Sequence, residues 1–151
     1  MELVYRVIQT DDLESLQKME ETKLAEQYSD EMERMMAVWN SKFRVEALEH
    51  YIALGWSFVV HDKETKELQG YFIAQPLLFF DGQTQTLWVE HVQYISEAAR
   101  DGLCELAYKL GREKHLQRVY FPKEDRILSA IQSYKPLEWN HDKVMVKTTK
   151  G

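Results

Sequence analysis

The sequence predicts a mixed α/β sandwich, with a mostly antiparallel central sheet and helices on both faces. Three observations lead there. Along 151 residues the hydrophobic period alternates between that of a helix and that of a strand. Two strand patterns, WSFVVHD and LQGYFIAQPLLFF, flank the charged turn DKETKE as the arms of an antiparallel hairpin do. Further on, a strand runs directly into a helix and then into another strand, which implies a right-handed crossover between parallel neighbours.

Element by element, Val4 to Ile8 reads as a short strand. Thr10 or Asp11 is placed to cap a helix whose Leu13, Leu16 and Met19 recur at helical spacing. A second helical pattern puts Tyr28, Met32, Met35 or Met36, Trp39 and Phe43 on one stripe, which Val45, Leu48, Tyr51 and Ile52 extend until Gly55 closes it. That methionine and aromatic stripe is expected in the core. The hairpin follows, its second arm interrupted at Pro76, where a ladder N–H is missing. After the turn DGQTQ, the stretch TLWVEHVQYI is rich in the β-branched and aromatic residues that suit a pleated surface. Ser96 then caps a helix with Glu97 in its first turn and Leu103, Leu106, Ala107 and Leu110 facing inward. Gln117 to Phe121 is a strand, Lys123 to Tyr134 a helix and Lys143 to Lys147 a last strand. The expected order is β, α, α, β, β, β, α, β, α, β, in a single domain over residues 1–151.

Composition narrows the function classes. With 44% hydrophobic residues, a chain of this size buries most of its apolar surface without staples. Its single cysteine, Cys104, excludes an internal disulfide and lies beside Leu103 in the helix, where a small buried thiol is the expected reading. No secretory leader or membrane-spanning run is legible, so a cytoplasmic protein is expected. The formal charge is −6, and Asp11 to Arg34 carries nine acidic residues against three basic ones. A surface that tracks phosphates needs the opposite balance, which argues against nucleic acid as a partner. The histidines at 50, 61, 91, 115 and 141 lack metal-ligand spacing, and there is no P-loop or serine nucleophile elbow.

The order of elements resembles the GNAT acyltransferase fold, and local stretches agree with it. SFVVHDKETKELQGYFIAQ is similar to the second and third strands of that superfamily, including a Gly near the start of the third, here Gly70. AIQSYKPLEWNHDKVMVK is similar to its last helix and closing strands, where a Tyr commonly stands five residues before an aromatic, as Tyr134 does before Trp139. The resemblance covers nearly the whole chain. The superfamily's Q/R-x-x-G-x-G/A element between the fourth strand and the next helix aligns with Glu97-Ala98-Ala99-Arg100-Asp101-Gly102, where the leading residue is Glu and the last Gly is kept.

The resemblance implies an N-acyltransferase that moves an acetyl or other acyl group from acyl-CoA to a primary amine on a small molecule or peptide. It places the pyrophosphate at Ala98, Ala99, Arg100, Asp101, Gly102 and Leu103, where helix N–H groups and the dipole favour an anion whatever the side chains are. Glycine matters there only for close approach or positive φ, and Glu97 adds a negative charge. The thioester carbonyl and pantetheine arm fall to the backbone of Val92, Gln93 and Tyr94. Glu90 is the implied base, directly or through water, with His91 turned to the opposite face by strand alternation. Tyr134 is the implied acid for the leaving thiolate. Each has a plainer reading: a paired Glu, a satisfied strand histidine and a helix-end tyrosine packed on the core. The alternative function is a non-catalytic GNAT-like module that binds a partner or ligand in the same cleft. Where the acidic segment lines that cleft, it favours a cationic acceptor. Exposed edge strands and the aromatic PLLFFDG segment would suit a homodimer.

Overall fold

Residues Leu3–Val7 form the first strand, β1, in a computed structural model that describes residues 2–39 and 45–148. A single 3-10 turn, Thr10–Asp12, leads into α1 (Leu13–Gln27). The cap of that turn is Gln9 rather than Thr10 or Asp11, and Asp12, its third residue, accepts the Gln9 N–H at 2.8 Å to complete a capping box. The long stripe that reads as one helix is described as two, α2 (Glu31–Trp39) and α3 (Val45–Leu54), and Phe43 lies outside the described residues. Gly55, at φ +77°, stands directly after α3 as expected.

The core placement of that stripe is half corrected. Leu48 and Tyr51 are buried against β3, but Tyr28, Met32, Met35 and Met36 are exposed. A helical period shows that one face is apolar and cannot show that another element covers it.

The sheet is built by β2 (Phe58–Asp62), β3 (Leu68–Phe80) and β4 (Gln83–Tyr94), then by β5 (Arg118–Pro122), β6 (Leu137–Glu138) and β7 (Lys143–Lys147). Between them run α4 (Glu97–Glu113) and a short α5 (Asp125–Ile131) that ends in a 3-10 turn at Gln132–Tyr134. The two-residue β6 is too short to announce itself in the sequence. The sheet order is β1-β2-β3-β4-β5-β7-β6, and every neighbouring pair is antiparallel except the parallel pair β4 and β5. The expected hairpin and crossover are both present.

β3 is not interrupted at Pro76, which pairs with Leu87 of β4. The N–H of Ala74 points away from β4 to Ser57 Oγ at 3.0 Å, so the nitrogen of Pro76, two residues on, also points away. The missing donor belongs to a side where β2 no longer runs alongside, and the β3–β4 ladder loses nothing.

One core lies under α4 and α5 and includes Phe72, Leu87, Val89, Leu103, Phe121 and Ile127; the other lies under α1 and α3 and includes Leu16, Met19, Leu48, Tyr71 and Ile73. Each large aliphatic side chain so buried contributes roughly 1.5–3 kcal/mol relative to exposure. Ser96 caps α4 by accepting the Ala99 N–H at 3.2 Å. Cys104 is buried in the first core, and desolvation, ahead of the nearby Asp101, pushes its thiol up to about 12. Among the described residues, no helix is long and apolar enough to cross a membrane.

Candidate active-site cleft

β4 and β5 pair only from Thr86↔Arg118 to Trp88↔Tyr120; past that point β4 continues to Tyr94 with β3 as its ladder partner. Ile95 donates its N–H to Gln69 of β3 at 2.9 Å, so alternation turns the N–H groups of Val92 and Tyr94 toward the parted β5 side. That of Tyr94 is held by the side-chain oxygen of Gln93 at 3.2 Å. Gly70 lets β3 pass close beneath this stretch, since a Cβ there would stand 2.5 Å from the Gln93 carbonyl oxygen and 3.1 Å from Tyr94 Cα. Beside it α4 begins. The Ser96 carbonyl takes the Arg100 N–H at 3.1 Å and its hydroxyl takes that of Ala99, which leaves the N–H groups of Glu97 and Ala98 without an intrahelical acceptor.

A cavity of about 440 Å³ opens where the strands part, lined by Glu20 and Glu26 of α1, His91, Gln93 and Tyr94 of β4, and Arg126 of α5. Lys23 and Glu124 also face it. On its wall Glu20, only 3% exposed, accepts hydrogen bonds from Tyr71 Oη and from Gln93 Nε2 at 3.3 Å, and its Oε1 lies 3.0 Å from His91 Nε2. Burial, followed by the charge of Glu20, holds the Tyr71 phenol well above its ordinary pKa, so it stays a donor.

A β-bulge sets which side chains reach this wall. Ile73 pairs with His91 but Ala74 with Val89, which leaves Glu90 as an extra residue on β4. The expected opposition of Glu90 and His91 is thereby corrected. Trp88 Nε1 donates to Glu90 at 2.5 Å, and the charge of Glu90 reaches Tyr51 of α3, so Glu90 and His91 both face the side that α1 and α3 cover. Behind burial, that charge is the second cause that raises Tyr51 to about 12.

Next to Glu90 lies an aromatic cluster of Phe80, Trp88, Tyr120 and Trp139. The tip of the β3–β4 hairpin is tied into it by Asp81 Oδ2, which accepts from Tyr120 Oη at 2.7 Å and from Trp139 Nε1 and Arg118 Nη1 at 3.0 Å each. Lys143, 2% exposed, sets its ammonium 4.8 Å from the centre of the Trp88 ring.

The remaining sequence-derived residues are distributed as follows. Val92, Gln93 and Tyr94 line the cavity, whereas neither Glu90 nor Tyr134 does. Tyr134 stacks on Tyr108 of α4, ring centres 3.9 Å apart, and burial, then Glu105, raises its phenol above the usual value. Glu97 to Leu103 lie in the first two turns of α4 rather than in a loop. Ala99 and Leu103 are buried, Ala98 is exposed, and Arg100 is bound to Asp101 at 2.9 Å. Gly102 faces Tyr5, whose phenol oxygen a Cβ would approach to 1.7 Å, so its smallness serves the packing of β1 on α4.

Sequence reasoning missed Glu20 and Tyr71. The legible signal was an acid on the inward stripe of α1, where Leu16 and Met19 are buried and Glu20 follows them. A carboxylate there must find donors or a cation.

The donors at this cleft fit an acyl-CoA. The free edge of β4 suits an extended, amide-bearing arm, and the start of α4 offers N–H groups to an anion. Similar architectures occur in solved structures. One is an acetyltransferase of the GNAT family from Listeria monocytogenes 4b F2365, with 16% identity, 97% of this chain and 95% of that chain covered, and a TM-score of 0.66. Another is PaiA N-acetyltransferase from Thermoplasma acidophilum in complex with coenzyme A, with 15% identity, coverage of 97% and 99%, and a TM-score of 0.67. A third is arylalkylamine N-acetyltransferase 2 from Aedes aegypti, with 6% identity, coverage of 99% and 100%, and a TM-score of 0.66. No curated protein matches the sequence. The architecture is the GNAT fold. Residues 3–143 match the family described as "Protein of unknown function (DUF1999)", and the chain belongs to that family.

Proposed function

We propose that the chain is an N-acyltransferase that uses acetyl-CoA or a related acyl-CoA and acylates a primary amine. The observation that carries this reading is the parting of β4 from β5 beside the capped start of α4, with a cavity of about 440 Å³ in the gap. Acyl-CoA, when bound, supplies the acyl group as a thioester. The backbone of Val92, Gln93 and Tyr94 holds its carbonyl and its arm, and the first turns of α4, from Ala98 to Leu103, hold its phosphates. Glu20 and Glu26 in the cavity favour an acceptor that arrives as a cation. Glu90 and His91 stand on the α1 and α3 side of the sheet, and Tyr134 packs on the α4 side. A proton acceptor on one side and a phenol on the other suit an amine that attacks from one face and a thiolate that departs on the other.

A second reading, a ligand-binding module without catalysis, draws support from Glu97 at the start of α4 and from the engagement of Arg100 by Asp101. Both weaken the site for a pyrophosphate. Calorimetric titration with acetyl-CoA, with dephospho-CoA as control, separates the two when coupled to thiol release over a panel of amines. Saturable binding with amine-dependent thiol release is expected. Absence of binding up to millimolar concentration overturns the acyltransferase reading; binding without release favours the module.

A further inference from the structure

We propose that the amine this chain acylates is carried on a cationic, amphipathic peptide segment, which docks on the exposed methionine face of α2; this rests on the acyltransferase reading and names its substrate class. Met32, Met35 and Met36 are 72%, 67% and 57% exposed. At i, i+3 and i+4 they share one face of α2. Tyr28, at the end of α1, is exposed as well. Four large apolar side chains left open within so short a stretch mark a contact surface, whereas single exposed ones do not. Methionine is unbranched and polarisable, so a face built from it adapts to the side chains of a helix laid on it.

Charge names the partner. Glu31 and Glu33 stand roughly 100° to either side of Met32 around the helix. From Glu21 to Ala37 the exposed charged side chains are Glu21, Glu26, Asp30, Glu31 and Glu33, all of them acidic. Arg34 is half-buried and turns its Nη2 back to the Ser29 carbonyl at 3.5 Å. An apolar stripe with an acidic rim complements a segment that has one apolar and one Lys/Arg face. A second copy of the chain fits less well, because a two-fold contact through this face sets the same acids against each other. The face also follows the cleft along the chain: Lys23, Leu24, Glu26 and Gln27 of α1 line the cavity, and α2 begins at Glu31. In the step proposed, a lysine nitrogen of the docked segment bonds the acyl carbon and loses a proton. The carbon–sulfur bond breaks, its electron pair leaves on sulfur, and the sulfur takes up a proton, so one amine and one thioester become one amide and one thiol.

The test uses the full chain, saturating acetyl-CoA and a synthetic peptide of leucine and lysine with its leucines at helical spacing. A scrambled peptide of the same composition is the control. The variant carries Met32→Ser and Met35→Ser together, both at exposed positions, so its fold is expected to match the wild type in thermal melting. In thiol release the variant is expected to raise KM for the periodic peptide about tenfold at unchanged kcat, and to change KM for the best small amine of the panel by less than about twofold. The wild type is expected to use the periodic peptide at a lower KM than the scrambled one. An unchanged KM for the periodic peptide in the variant, an equal rise for the small amine, or equal use of the two peptides by the wild type overturns the proposal. So does a wild-type dimer in sedimentation that the variant disperses, since the face would then belong to a second copy. A chain that acylates no amine at all is a different result: it defeats the acyltransferase reading, and this substrate class with it, whereas a chain active on small amines that ignores the peptide defeats this proposal alone.

Discussion

The carboxylate of Asp12 accepts two hydrogen bonds from the Arg6 guanidinium, at 2.7 Å each, and a third from the backbone N–H of Gln9 at 2.8 Å. The bonds from Arg6 are the largest of the causes that hold its carboxyl below the usual range, with partial burial opposing them. A carboxyl lowered in the folded state contributes stability that is fully present above its unfolded pKa, roughly 4, and is lost as pH falls through the folded value. Asp12→Asn is therefore expected to cost about 1 kcal/mol at neutral pH, as a paired cap residue does. Urea unfolding at several pH values should show that gap closing as pH falls below the ordinary carboxyl range and the wild type loses its charge. A gap of constant size would assign the effect to packing. Glu20 shows the limit of reading single residues from sequence. Its place on an apolar stripe was visible, but Tyr71 and His91 lie 51 and 71 positions away along the chain. No local pattern joins residues so far apart, and the inserted Glu90 that turns His91 toward them depends on register with β3.

At the scale of elements, Gly70 controls the width of the cleft wall. A methyl group there would meet the main chain of β4 at Gln93 and Tyr94, which cannot rotate away as a flexible side chain can. Gly70→Ala is expected to destabilise the fold by about 1–3 kcal/mol and to weaken acetyl-CoA binding, because the displaced segment is the one that would hold the thioester arm. Thermal melting and calorimetry on the same variant check both parts; an unchanged affinity would place the arm elsewhere. The hairpin, the α4 crossover and the Ser96 cap were legible because each rests on neighbours in sequence and on a period of two or 3.6. Pro76 misled because its effect depends on which side its nitrogen faces, and Ala74 settles that only through Ser57, 17 residues earlier. The exposed Met32, Met35 and Met36 misled for a related reason: periodicity defines a face but not its covering.

For the whole molecule, β1 to β4 form one half-sheet and β5, β7 and β6 the other, joined by the short parallel ladder that ends at Trp88 and Tyr120. Beyond that ladder the amide of Val92 faces the gap. Residue-resolved hydrogen exchange is expected to show it exchanging faster than the β3-facing amide of Gln93, and saturating acetyl-CoA is expected to slow it about tenfold or more. Exchange that acetyl-CoA leaves unchanged would mean that the arm does not lie along β4.

An edge strand is ordinarily a hazard at the rim of a sheet, where another chain can add to it. Here the unpaired edge is in the middle, walled by α1 and α5. A ligand laid along it would act as a brace across a seam, completing hydrogen bonds that the sheet leaves open. Binding and stability would then draw on the same missing rungs, and the unliganded chain would be the softer of the two states, opening first along that seam.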